Sequence, residues 1–146
     1  MFNCFAKPCL LQNGANMIFL EIWTSFRSLP LWVQVWVVGI LMPVNLAAIF
    51  FLNQPFGYWV ALLAIGAMLP NVLIIFKERG FSKMMAWPHL LPWSILVIWL
   101  LVSPPVGSAA YGSYLLILLV VDAISLAFDY PDARKWWQGD RAIAGK

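Results

Sequence analysis

AAYGSYLLILLVVDAISLAF, residues 109–128, runs for twenty positions with a single charge, Asp122. About 20 predominantly apolar residues are needed for a helix to cross the hydrocarbon core of a bilayer, and this stretch supplies them. Three further apolar stretches precede it, at Leu31–Leu52, Tyr58–Phe76 and Trp87–Val102. The third is shorter and bounded by Pro88 and Pro104, and it crosses if Trp87 and Ser103 sit at the two interfaces. The whole chain has 146 residues, 63% of them hydrophobic and only 10% charged. A soluble globule of this size cannot cover that much apolar surface. The sequence therefore predicts an all-α polytopic membrane protein, with four transmembrane helices in an up-down bundle and an N-terminal amphipathic interfacial helix. The expected organisation is a cytoplasmic or interfacial segment over 1–30, a transmembrane domain over 31–128, and a cytoplasmic tail over 129–146.

The basic residues orient this arrangement. The connections at 53–57 and 103–108 carry no lysine or arginine. All nine fall elsewhere: Lys7 and Arg27 before the first stretch, Lys77, Arg79 and Lys83 in the middle connection, and Arg134, Lys135, Arg141 and Lys146 in the tail. Basic loops stay cytoplasmic, so both termini and the middle connection are expected inside a bacterial inner (plasma) membrane. An odd number of spans would put the middle connection and the tail on opposite sides and destroy the pattern. The net charge of +3 serves orientation and attraction to anionic headgroups. It forms no dense patch of the kind nucleic-acid binding requires, so no nucleic-acid partner is expected.

Two cysteines, Cys4 and Cys9, stand on the expected cytoplasmic side, where structural disulfides are rare. Their C-x4-C spacing has no second pair to complete a zinc site. Pro8 and Gly14 interrupt the first residues and no apolar core of a cleavable signal is present; Met17 offers a second start. Over 17–28, Phe19, Ile22, Trp23 and Phe26 recur at i, i+3, i+4 and i+7, the pattern of a helix lying on the cytoplasmic interface.

The first two spans share a spacing in which glycine stands four residues before proline: Gly39 and Pro43, Gly66 and Pro70. A proline ring clashes with the carbonyl at i−4 and removes one hydrogen bond. The freed backbone needs a donor in lipid, and Asn45 or Asn71 is placed to offer one. Both prolines predict kinks, serving either helix packing or a hinge.

Two stripes run down the last span. Ala109, Ser113, Ala123 and Ala127 are small and share one helix face, a candidate packing face on which helices approach closely. Along a second face run Tyr111, Leu115, Leu118, Asp122, Ser125 and Asp129. Asp122 is the ionisable residue well inside a span, and it must be neutralised, paired or wetted. Counted from Phe128 as the cytoplasmic edge, its depth matches His89 on the third span and Asn71 on the second. Asn71, His89 and Asp122 are therefore the candidate polar cluster, with Asn45 standing apart.

This set falls short of catalytic chemistry. One histidine and one buried aspartate do not make a three-ligand zinc site, no serine or cysteine is placed to be activated by His89, and no glycine-rich phosphate loop occurs. Enzymatic activity, a metal and a cofactor are not expected. The tryptophans fall mostly at expected interfaces, as anchors. The expected partners are the lipid bilayer and either further copies of the chain or a larger membrane protein complex. The leading expectation is an accessory or assembly subunit acting through helix–helix contacts. The alternative is a proton-linked transporter of a small solute using Asp122 and His89.

Overall fold

The computed structural model describes the backbone of residues 7–146 and the side chains of residues 16–146, so the Cys4 and Cys9 thiols lie outside the described side chains. Among the described residues the secondary structure is helical apart from one isolated antiparallel bridge between Ser82 and Ile143. The first helix, α1, spans Lys7–Ser28. It runs through the two residues read from sequence as interruptions. Pro8 sits in the first turn, where its missing N–H costs nothing, and an interior glycine costs only about 1 kcal/mol relative to alanine.

Four helices long and apolar enough to cross a membrane follow: α2 (Leu31–Phe51), α3 (Gly57–Glu78), α4 (Lys83–Val102) and α5 (Ala109–Trp137). Three match the sequence reading within a few residues. The fourth extends well past Phe128, through Asp129 and over Pro131 to Trp137. These helices fit a multi-pass membrane protein.

Both glycine–proline spacings mark departures from regular helix. In α2 the backbone over Trp36–Leu41 is π-helical, and the Met42 N–H donates to Val37 O rather than to the carbonyl four residues back. Pro43, which has no N–H and in a regular helix would crowd the Gly39 carbonyl, follows directly. A regular turn over Met42–Leu46 and a 3₁₀ segment over Ala47–Phe51 complete the span. In α3 the break falls at Ala67–Met68, just before Pro70, where the Met68 N–H bonds Ile65 O. The Ala64 carbonyl takes a hydrogen bond from Trp93 Nε1 at 3.2 Å instead. Neither Gly39 nor Gly66 is crowded by another element, so these glycines relieve no interhelical contact.

The core is apolar and has two parts. One gathers Ala48, Ala61, Ala64, Leu96, Tyr111 and Leu118. The other gathers Leu41, Ala67, Trp93, Val121 and Leu126. The alanines of α3 let the larger side chains of α4 and α5 close over them, and α4 packs most extensively on α5.

The two ends of the bundle are built differently. At one end the short connections meet, with the Ser108 N–H donating to Gln54 Oε1 at 3.0 Å and the Tyr111 hydroxyl to Pro55 O at 3.2 Å. At the other end α1, the segment after α3 and the tail interlock. Arg79 adopts a left-handed conformation (φ 53°) that ends α3. The Phe81 N–H then donates to Ser25 Oγ, the Ala144 N–H to Phe81 O, and Lys83 pairs with Asp140. Gly80 is buried where a Cβ would lie 2.7 Å from both Ile143 and Ser25, so this close approach demands glycine.

Candidate functional site

The buried face of α5 carries a column of polar side chains. Asp122, Ser125 and Asp129 recur at i, i+3 and i+7, one above the other on a helix, and each meets a different partner. The Asn45 side-chain N–H donates to Asp122 Oδ1 at 3.0 Å, with a second bond to Leu41 O at 3.1 Å. Trp36 Nε1 donates to Ser125 Oγ at 3.2 Å. Asp129 Oδ2 lies 3.2 Å from His89 Nδ1, and His89 Nε2 lies 2.9 Å from the Asn71 side-chain nitrogen. The amide nitrogen of Asn71 only donates, so His89 Nε2 accepts from it and Nδ1 is left to donate to Asp129. Trp93 stacks on the His89 ring at 3.9 Å between centroids and fixes its plane.

This arrangement corrects the cluster expected from sequence. Asn71 and His89 do meet, but their carboxylate is Asp129. Asp122 belongs with Asn45, the residue read as standing apart. The cause is the length of α5. With Phe128 taken as the end of the span, Asp122 stood level with His89. Because the helix continues to Trp137, Asp122 falls at its middle, fifteen residues from that end, beside Asn45 at fourteen residues from Leu31. Asn71, His89 and Asp129 stand seven, six and eight residues from the corresponding ends of α3, α4 and α5. The signal was present in the sequence, since Asp129 lies on the same stripe as Asp122, and Trp136 and Trp137 mark a later interface than Phe128.

Both groups are largely enclosed, Asp129 alone keeping a partly exposed side chain. Asn45 and Asp122 are 0% exposed, and His89 and Asn71 are buried. Three acceptor atoms in the column have no partner: Asn45 Oδ1, Asn71 Oδ1 and Asp122 Oδ2. Among the described residues no group of three His, Cys, Asp or Glu side chains gathers as a metal-ligand set would. The Ser94 hydroxyl pairs with the Tyr130 hydroxyl at 2.8 Å, away from His89.

The small-residue face lies on the opposite surface. Ala109, Ser113, Ala123 and Ala127 are all exposed and none packs inside the chain. Gly112 lies among them, and a Cβ built on it would meet nothing within 4 Å. The second stripe is the one that faces inward, with Tyr111, Leu115, Leu118, Asp122 and Ser125 buried. Compared with family models, curated proteins and solved structures, the chain matches none.

Proposed function

We propose that the protein is a small accessory or assembly subunit of a bacterial inner (plasma) membrane, docking the outer face of α5 against a transmembrane helix of a larger complex or of a second copy. In this reading the four helices alternate up and down, and α1 lies along the cytoplasmic interface. Both termini and the middle connection stand in the cytoplasm, because every lysine and arginine belongs to that end.

One observation carries the reading. The small residues of α5, Ala109, Gly112 and Ser113 toward one end and Ala123 and Ala127 toward the other, point away from the chain's own core, with Leu116 and Val120 exposed between them. In lipid no hydrophobic force brings helices together, and close backbone approach across small side chains supplies the association instead.

Purification in mild detergent, with the components identified by mass spectrometry, tests it. A stoichiometric membrane partner or a defined homo-oligomer is the expected result. A monodisperse, solitary chain in native-like bilayers overturns it. Orientation is checked separately: a reporter fused after Lys146 should read cytoplasm, and cysteines placed at Gln54 or Val106 should label from outside. External labelling of a cysteine at Lys83 overturns the orientation.

A further inference from the structure

Where α2 meets α5 there are more acceptors than donors. Asn45 spends its side-chain N–H groups on Leu41 O and Asp122 Oδ1. That leaves Asn45 Oδ1 and Asp122 Oδ2, two lone-pair oxygens on side chains already joined through their other atoms, fully enclosed and without a partner. Among the described residues the surroundings supply no cation. Within Leu31–Phe51 no residue titrates, and the lysines and arginines of the other three helices stand near their ends. The titratable groups nearest along α5 are Tyr114, whose hydroxyl donates to Val44 O at 3.2 Å, and Asp129, two turns away. From α4 comes His89, already bonded to Asp129. An ionised carboxylate here would be a bare charge at the middle of a span, which hydrocarbon opposes strongly.

We propose that Asp122 and Asn45 form a proton-binding site inside the membrane: Asp122 holds a proton on Oδ2 and donates it to Asn45 Oδ1, closing a two-bond acid–amide pair. One proton arrives from water, the O–H bond forms at Oδ2, and the charge of the pair falls from −1 to zero. Both unpartnered oxygens are then satisfied, one as donor and one as acceptor. Ser125 and Asp129 follow on the same helix face toward the basic end of the bundle. The site joins α5 to α2 just beyond its π-helical turn and Pro43. Bound proton therefore holds these helices together, and its loss leaves a charge that favours their separation. This inference is independent of the docking face, which lies on the other side of α5.

Infrared spectroscopy of the protein in bilayers, as a function of pH, tests the site directly. At neutral pH the spectrum should contain the carbonyl band of a protonated carboxylic acid that shifts when carboxyl-13C aspartate is incorporated. The band should persist in Asp129→Asn and vanish in Asp122→Asn. In Asn45→Leu it should move to the position of an acid without a hydrogen-bond partner. Absence of the band at neutral pH, or its survival in Asp122→Asn, overturns the proposal. So does its removal by sodium at constant pH, which would assign the oxygens to a metal cation. Should Asp122→Asn not fold, labelled Asp129→Asn decides alone, because the remaining aspartates, Asp132 and Asp140, are in contact with solvent.

Discussion

On its inner face α5 carries Tyr111, Leu118, Asp122 and Ser125, bulky or polar and closely surrounded; on its outer face it carries Ala109, Gly112, Ser113, Ala123 and Ala127, small and uncovered. A helix on a soluble protein is apolar inside and polar outside. Here both faces are largely apolar and the few polar side chains turn inward, which follows from the solvent. In hydrocarbon, polar groups gain by turning inward to partners, and an apolar residue facing outward costs nothing. What distinguishes parts of the outer surface is therefore size. The comparison teaches that the polar contacts joining the helices lie on the inner face, while the proposed docking concerns the outer one.

The largest expected effect tests the inner face. Asp122→Leu removes the acceptor of the Asn45 N–H in a fully enclosed position, and an unsatisfied buried donor costs about 1–3 kcal/mol. A lower melting temperature in detergent should report it. Asp122→Asn keeps the size and a hydrogen bond and should melt near the wild type. Equal melting of the two variants would remove the polar lock from the inner face.

Next comes the outer face. Ala123→Leu or Ala127→Leu should abolish co-purification or oligomerisation while shifting the stability of the chain by no more than about 0.5 kcal/mol, as exposed substitutions do. Ile98→Leu, on an exposed position of α4 away from this face, should leave assembly intact. If all three variants assemble alike, the two faces no longer differ in role.

A smaller effect is expected at His89. Asn71→Leu removes one interhelical hydrogen bond and should cost about 0.6 kcal/mol, the average for such contacts in membranes. A loss of several kcal/mol would make the Asn71–His89–Asp129 chain, rather than Asp122, the dominant polar contact of the inner face.

The smallest effect lies outside the bundle. The hydrogen bond from Lys83 holds the Asp140 carboxyl below the usual carboxylate range, with a further contribution from the Ala142 N–H. A depressed carboxylate contributes stability that is complete above its unfolded value and lost as pH falls through its folded one. Acidification should therefore loosen the tail from Lys83, seen as greater hydrogen exchange over 138–146, and Asp140→Asn should abolish that acid dependence. Both groups are partly exposed, so the melting of the bundle should hardly move.

Number and approximate limits of the apolar helices were readable from the sequence because each depends on local composition: runs of about 20 apolar residues and prolines at the bends. The two stripes of α5 were readable for the same reason, since a helix of known period assigns its own faces. Which stripe turns inward was decided only by packing, because periodicity gives the angle between two faces and not what each one meets. The pairing of Asn45 with Asp122 and of His89 with Asp129 was likewise decided by tertiary structure. It depends on where α5 ends and on the π-helical turn before Pro43, and an error of a few residues in a helix end moves a side chain by a whole turn relative to its neighbours. The fold-back of 138–146 onto Ser25, Gly80 and Phe81 left no periodic trace in the sequence, since it rests on single backbone hydrogen bonds and one glycine-sized gap between segments far apart in the chain.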